Sequence, residues 1–244
     1  SIEQHHALEK EVLETSDAVL VVGKTMKNNY LKYTSKIHVI TNGFDENLRK
    51  VKTVLDQSFS ITHIGLMNSD RNAECLWKAL KELSDENPNF ARDLNVKLIG
   101  KVDEVVKKSL NYYIPEECTE IIDYLPHAEV KAYQRKSQVL LLSINNVPSA
   151  KGILTGKVFE YLQAKRPILA IGPEDGDLAE ILRLTNAGHT VDFNDKDKIK
   201  EVVLSYYKLY KTHNLNSASY GIEQFHRKTL TKTLSTVIKE IHKV

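Results

Sequence analysis

The stretch "GILTGKVFEYLQAKRPILAIGPEDGDLAEI", residues 152–181, combines the features that decide how this chain folds. Its first part has the apolar spacing of a helix over residues 156–165, and "PILAIG" has the pattern of a buried strand that ends in glycine. A second helical segment, "DLAEIL", follows. One charged residue, Glu160, interrupts the apolar helix, and a charged side chain is seldom buried unless it is paired or used.

Four apolar runs along the chain share this ending in glycine. They are "AVLVVG", "SITHIG", "NVKLIG" and "PILAIG", which end at Gly23, Gly65, Gly100 and Gly172. Short, nearly continuous apolar runs are typical of strands buried on both faces of a parallel sheet. Because helical segments such as "RNAECLWKALKEL" follow such strands, the sequence predicts an α/β fold with a doubly wound, Rossmann-like parallel sheet.

Further strands are predicted at "KIHVIT", "TEIIDYL" and "QVLLLSI", and helices at 126–136, 156–165 and 195–212. Open parallel sheets bind ligands just outside the carboxyl ends of their strands, where a glycine lets the backbone approach a phosphate or a sugar closely. Each glycine could instead simply break its strand. The repeated ending nevertheless favours a ligand-binding edge.

The composition is that of a globular protein, since 41% of the 244 residues are hydrophobic and 27% are charged. The formal net charge of +2 gives no argument for nucleic-acid binding. No apolar run reaches the roughly 18 residues of a membrane span, and the start of the chain lacks the apolar region of a signal peptide. Cys75 and Cys118 lie outside any CxxC and no HExxH occurs, so we expect a reducing cytoplasm and no metal site.

A turn signal at Asn42-Gly43 marks a boundary, because the elements before it are too few to bury a sheet of their own. Residues 1–45 are therefore predicted to be the tail of a truncated N-terminal domain, and residues 46–215 a complete α/β domain. Within residues 216–244 an apolar stripe predicts a helix that docks back toward the N-terminal segment. A helix lying on a membrane surface is the alternative.

The start of the helix at 156–165 has the residues of an anion site. Thr155 is a suitable N-cap for a helix that begins at Gly156, whose first turn offers free backbone N–H groups. Lys157 adds a cation that is unfavourable for the helix itself, which indicates an anionic partner such as phosphate. Glu160 could accept hydrogen bonds from both hydroxyls of a ribose. The alternatives are an exposed lysine and a glutamate on the solvent side of the helix.

Two other nucleotide motifs, the P-loop and GxGxxG, do not occur. Instead, "TGKVFEYLQAKRPILAIGPEDGDLAEIL" resembles the donor-binding segment of family-4 glycosyltransferases with the GT-B fold. The upstream run "LEKEVLETSDAVLVVGKTMKNNYLKYTSKIHVITNGFD" resembles the end of their N-terminal domain and the crossing into the C-terminal one. The segments "SITHIGLMNSDRNAECLWKAL", "VKLIG" and "IIDYLPHAEVKAYQRKSQVLLL" follow in the family's order. The resemblance implies two Rossmann-like domains around a nucleotide-sugar cleft, with this chain as the C-terminal, donor-binding half.

The resemblance also implies roles for individual residues. Glu160 would bind the ribose of the donor, and backbone N–H groups around Thr155 and Gly156 would meet the diphosphate. Gly65 corresponds to the glycine that ends the first strand of the donor domain. Arg71 falls where the family usually has a lysine that helps to neutralise the diphosphate. The base would lie near Gly100, Lys101 and Tyr124.

The sequence departs from the family at two positions. Gly152 stands where the family has the first of two glutamates spaced eight apart, a residue linked to the sugar end of the donor. Leu66 stands where an arginine usually follows the first glycine. The leaving diphosphate would then depend on Arg71, on the helix start and on Lys157, whose role comes from the helix argument and not from the family.

For a whole enzyme the resemblance implies transfer of a sugar from a UDP- or GDP-type donor to an acceptor hydroxyl, with retention and without a metal or other cofactor. A saccharide or lipid-linked acceptor would bind the missing domain, so this chain alone is expected to bind nucleotide without transferring sugar. The expected setting is polysaccharide synthesis in the cytoplasm, with peripheral contact to the inner membrane face as an option. Three alternatives stay open: a non-catalytic nucleotide-sugar-binding scaffold subunit, a nucleotide-sugar epimerase, and an α/β domain whose site has decayed.

Overall fold

The structure is a computed structural model that describes residues 2–45 and 53–242. The strands in these ranges are β1 (Val19–Val21), β2 (Ile37–Val39), β3 (Phe59–Ile64), β4 (Leu94–Ile99), β5 (Thr119–Ile122), β6 (Val139–Ser143), β7 (Ile168–Ile171) and β8 (Gly188–Val191). The helices are α1 (Ile2–Thr15), α2 (Lys24–Tyr30), α3 (Glu74–Glu86), α4 (Pro88–Asp93), α5 (Glu104–Tyr113), α6 (His127–Lys136), α7 (Gly156–Ala164), α8 (Asp177–Thr185), α9 (Lys196–Lys211) and α10 (Arg227–Ile241).

Strands β3 to β8 form one parallel sheet in the order β5-β4-β3-β6-β7-β8. The chain runs outward from β3 to β5, returns to place β6 on the other side of β3, and then runs outward to β8. The direction of winding therefore reverses between β3 and β6. This confirms the predicted doubly wound sheet, and it makes the carboxyl ends of β3 and β6 the switch point at which such sheets bind ligands.

The two faces of the sheet carry separate apolar cores. On β6, Val139 and Leu141 belong to one core, whereas Leu140 and Leu142 belong to the other. Trp77 of α3 lies in the first core, and the apolar residues of α7 lie in the second. Burial on both faces explains why the central strands are continuous apolar runs without alternating polar residues.

All seven predicted strands are present. The predicted helices at 126–136, 156–165 and 195–212 correspond to α6, α7 and α9, with each end within one residue of the prediction. Helix α7 ends one residue early because Lys165 adopts a left-handed conformation, with φ 55°. Strand β8 was not predicted. It is a short edge strand in which only Val191 is buried, so its sequence lacks the apolar run that marks the others.

Residues 2–45, called the N-terminal segment below, contain a separate two-stranded parallel sheet of β1 and β2. The backbone N–H and the hydroxyl of Thr25 donate to the buried carboxylate of Asp177 at 3.0–3.2 Å. The backbone N–H of Arg227, at the start of α10, donates to the carbonyl oxygen of Phe44 at 3.0 Å. The start of α10 thus contacts the end of this segment. The domain boundaries themselves stay predictions, and the first one adjoins residues outside the described ranges.

Candidate functional site

The carboxyl ends of β3 and β4 lie side by side and both end in glycine. Gly65 and Gly100 have φ angles of 117° and 111°, a conformation that side chains other than glycine rarely adopt. The N–H of Gly65 donates to the carbonyl oxygen of Ile99 at 2.7 Å, and a Cβ on Gly100 would lie 3.0 Å from Gly65 O. Both glycines are therefore required by backbone geometry, and Gly65 lies at the switch point.

Lys157 extends from the first turn of α7 over this edge. A Cβ on Gly65 would lie 2.8 Å from Lys157 Nζ. The pKa of Lys157 is lowered to about 8, first by burial and then by the positive charge of Arg71, while the charge of Glu160 opposes the shift. Within the described residues, no carboxylate lies within ion-pair distance of its ammonium group. The expected alternative of an exposed lysine is wrong, because the side chain is half-buried, and it forms no ion pair there.

Arg71 brings a second cation to the same place. It ends the short 3-10 turn Ser69–Arg71 that follows β3. Its Nε donates to Asn145 Oδ1 at 2.7 Å, and its Nη1 donates to the carbonyl oxygen of Leu66 at 2.9 Å. Both acceptors are neutral, so these bonds orient the guanidinium without neutralising it. We call the region around Gly65, Arg71 and Lys157, at the carboxyl end of β3, the switch-point crevice.

The start of α7 forms one wall of this crevice. Thr155 occupies the N-cap position as predicted, with an extended backbone (φ −79°, ψ 146°), but its side chain makes no capping hydrogen bond. Its hydroxyl oxygen is buried and has no partner in the described part of the chain. Gly156 is exposed, and a Cβ there would meet nothing within 4 Å. The first turn of α7 is therefore open to a ligand and is not capped by its own threonine.

Glu160 lies one turn further along α7 and is half-buried. Its Oε2 accepts a hydrogen bond from Gln134 Nε2 of α6 at 3.2 Å. Glu160 shares the less buried side of α7 with Lys157 and Gln163, so both interpretations of this glutamate stay predictions. Its carboxylate is held between α6 and α7, at a position where only one of its oxygens has a donor among the described side chains.

The sequence analysis missed two buried polar residues next to the crevice, His63 and Tyr161. His63 of β3 has its pKa lowered to about 3, first by burial and then by the charge of Lys157, and is therefore neutral. Its Nδ1 lies 3.2 Å from the carbonyl oxygen of Leu141. The hydroxyl of Tyr161 accepts a hydrogen bond from the N–H of Ile64 at 3.1 Å and so ties α7 to the end of β3. The polar His63 inside the apolar run "SITHIG" is the sequence feature that could have indicated a buried polar residue near the site.

The remaining predicted residues are less closely associated with the crevice. Lys101 follows the end of β4 and is exposed, although its carbonyl oxygen accepts from the N–H of Met67 at 2.9 Å. Tyr124 lies beyond β5 with 86% of its surface exposed. At Gly152 a Cβ would lie 3.3 Å from Cγ2 of Thr25 in the N-terminal segment. The roles of the predicted base-binding residues stay predictions.

No group of three or more His, Cys, Asp and Glu side chains is arranged to hold a metal ion in residues 2–45 and 53–242. In the same ranges, no helix has both the length and the apolar character that a membrane crossing requires.

No protein-family model matches the sequence, and a comparison with curated proteins gives no match either. Solved structures do match the fold. Sucrose-phosphate synthase from Thermosynechococcus elongatus aligns over 99% of this chain and 62% of its own, with 12% identity and a TM-score of 0.70. The α,α-trehalose 6-phosphate synthase from Burkholderia multivorans aligns over 98% and 62%, with 10% identity and a TM-score of 0.70.

A third solved structure is the pneumococcal O-GlcNAc transferase in complex with UDP and GlcNAc. It aligns over 95% of this chain and 47% of its own, with 18% identity and a TM-score of 0.62. The chain thus spans between about half and three fifths of these structures, 47% of this one and 62% of the two synthases. The shared feature is the α/β fold of GT-B glycosyltransferases, and the chain has that fold over nearly its whole length.

Proposed function

We propose that this chain binds the nucleotide-diphosphate part of a sugar donor in the switch-point crevice, as the donor-binding part of a glycosyltransferase. One observation carries the proposal. Lys157 is a half-buried cation over Gly65, next to the charge of Arg71, and it forms no ion pair with a described carboxylate. Burying an unpaired charge is costly, so two neighbouring cations there favour an anionic ligand with more than one negative charge. A diphosphate has that charge.

Neighbouring groups support the same ligand. Backbone N–H groups in the first turn of α7, around Thr155 and Gly156, would add donors and the positive end of the helix dipole. Glu160, further along the same helix, would accept hydrogen bonds from the ribose hydroxyls. The pneumococcal transferase was solved with UDP, which makes UDP the first nucleotide to test here.

The reaction in the proposal is attack by an acceptor hydroxyl on the sugar of the bound donor, with retention and without a metal. Negative charge then develops on the leaving diphosphate, and fixed donors aimed at it lower the barrier. Arg71 and Lys157 are the proposed stabilising groups, and loss of one would reduce the rate by about 10²–10³-fold. A saccharide or lipid-linked acceptor would be held by a further part of such an enzyme, since the chain spans 62% of the two synthases and 47% of the pneumococcal transferase.

The direct test is a thermal-shift titration with UDP, GDP, ADP and dTDP. At about 100 times Kd, binding adds roughly 2.7 kcal/mol to the free energy of unfolding. For a chain of this length that raises Tm by about 5–10 °C. We expect this shift with one of the nucleotides, and we expect Arg71→Gln to weaken it strongly. Lys151→Gln is the matched control, because Lys151 is an exposed cation paired with Asp175. Absence of a shift with all four at several millimolar would refute the proposal.

Position 152 favours one second candidate, a nucleotide-sugar-binding subunit without catalytic activity of its own. The family's sugar-side glutamate is replaced by Gly152, and the adjacent space contains Thr25. This candidate and the transferase both require nucleotide binding. They differ in turnover. Release of UDP from a UDP-sugar in the presence of a supplied acceptor-binding half, measured by a coupled UDP assay, supports the transferase, and nucleotide binding without such turnover supports the subunit.

A further inference from the structure

Helix α6 has a single buried residue, and that residue is polar. Gln134 has 4% of its surface exposed, whereas every other residue of this fully described helix is at least partly exposed. The one inward position of a surface helix is ordinarily apolar, because a buried amide is unfavourable unless its hydrogen bonds are made. A buried glutamine at this position therefore requires a hydrogen-bond partner.

That partner is Glu160. Gln134 Nε2 donates to Glu160 Oε2 at 3.2 Å, across 26 positions of the sequence. A hydrogen bond to an ionised carboxylate is stronger than one between neutral groups. It also fixes the plane of the carboxylate, whose terminal torsion would otherwise vary broadly. The bond leaves Oε1 without a donor in the described residues, and Oε2 keeps a second lone pair.

We propose that Gln134 is a positioning residue, which orients the Glu160 carboxylate so that it accepts one hydrogen bond from each hydroxyl of a ribose 2′,3′-diol. This inference rests on the proposed nucleotide-binding function. It gives a physical reason why the site would prefer ribose to 2′-deoxyribose in the nucleotide. With the plane of the carboxylate held by Gln134, both ribose hydroxyls can be satisfied at once. Without that bond the carboxylate can rotate, and the 2′-hydroxyl loses its acceptor geometry.

The selectivity for ribose over 2′-deoxyribose is the quantity that separates positioning from packing. A lost packing contact would weaken UDP and 2′-deoxy-UDP equally. Loss of orientation would weaken UDP more than 2′-deoxy-UDP, because a carboxylate that is free to rotate can still turn toward the 3′-hydroxyl but no longer meets both hydroxyls at once. One hydrogen bond to a charged group contributes roughly a 10-fold or larger preference, so we expect the unaltered chain to bind UDP about 10-fold more tightly than 2′-deoxy-UDP.

The experiment measures Kd by isothermal titration calorimetry for UDP, GDP and their 2′-deoxy forms on the full chain. The test variant is Gln134→Met, which keeps the length of the side chain and removes the donor. The control is Gln163→Met on α7, because Gln163 donates to the carbonyl oxygen of Asp45 and not to Glu160. If Gln134→Met fails to fold, Gln134→Leu, which has no donor and adds no charge, takes its place.

The inference is supported if the preference for ribose falls to about 1–3-fold in the Gln134 variant, with the ribose form weakened more than the 2′-deoxy form and the Gln163 control intact. It is overturned if the Gln134 variant keeps the preference of the unaltered chain, or if it weakens both forms equally. Either of these results would leave nucleotide binding itself in place. If the unaltered chain binds none of the four nucleotides, the proposed function fails, and this inference fails with it.

Discussion

The titration of Lys157 should make the affinity for the proposed nucleotide ligand depend on pH, in a range where few other groups change charge. In the unliganded chain its pKa is about 8. A bound diphosphate places negative charge against the ammonium group and so raises that pKa toward the ordinary lysine value near 10.4. Above pH 8, binding must therefore be accompanied by proton uptake. By linkage, Kd should increase about 10-fold between pH 7 and pH 9.

The assay is calorimetric titration with UDP, or with whichever nucleotide binds best, at pH 7, 8 and 9. Repeating it at pH 9 in two buffers of different ionisation enthalpy counts the protons taken up directly. The phosphate groups do not interfere, because the last pKa of a phosphate is near 6. Lys157→Met should bind more weakly at pH 7 by roughly 10–100-fold, as expected for one charge-assisted contact, and should lose the pH dependence. Lys151→Met should keep both the affinity and the pH dependence of the unaltered chain.

Stability provides an independent measurement on the same variant. The folded-state pKa of Lys157 lies below the unfolded value, so the unfolded chain binds more protons between about pH 8 and 10.4. The free energy of unfolding should therefore rise as pH increases through that range, and the cost of the buried charge is fully present below it. Lys157→Met should be more stable than the unaltered chain at pH 7, by up to about 3 kcal/mol, and the difference should vanish near pH 10. Equal stability of the two proteins at both pH values, together with pH-dependent binding in the variant, would refute the reasoning.

Two further predictions concern the framework of the site. Gly100→Ala should lower the free energy of unfolding by about 1–3 kcal/mol in urea titrations, because Gly100 has a positive φ and its Cβ would lie 3.0 Å from the carbonyl oxygen of Gly65. The control is Gly156→Ala, which adds a Cβ into open space. It should change the free energy of unfolding by less than about 0.5 kcal/mol. Asp177→Ala should cost about 1–3 kcal/mol, since the N–H of Thr25 loses its acceptor, and should speed proteolysis of the N-terminal segment, whereas Asp177→Asn keeps an acceptor oxygen and should do so less.

The fold was largely predictable because its signal is repeated locally. Each central strand is an apolar run, and the structure buries these runs on both faces of the sheet. The left-handed end of α7 at Lys165 was not predictable, because lysine is not a residue that favours this conformation. The helix start at Thr155 was predicted correctly in position, but its hydroxyl was expected to cap the helix and instead has no partner among the described residues.

The site was less predictable because its contacts connect distant parts of the chain. The sequence places Lys157 and Glu160 on one helix, but it gives no sign that Lys157 extends over Gly65 or that Gln134 meets Glu160. Such contacts depend on how α6 and α7 pack against the sheet. His63 is the informative exception, since a polar residue within a buried strand needs local acceptors, and it has the carbonyl oxygen of Leu141.

The packing around position 152 gives a physical reason for the chain's main departure from the family it resembles. Thr25 lies against Gly152 and is fixed by three contacts to the Asp177 carboxylate, and a Cβ at 152 would require it to shift by a few tenths of an ångström. A glutamate there would also add negative charge at a junction that already holds Asp177. Gly152 therefore gives the N-terminal segment room to pack against the domain, and neither Arg71 nor Lys157 has an atom among those closest to position 152. It follows that the diphosphate end of the proposed donor site can be intact while contacts to the sugar must come from other groups.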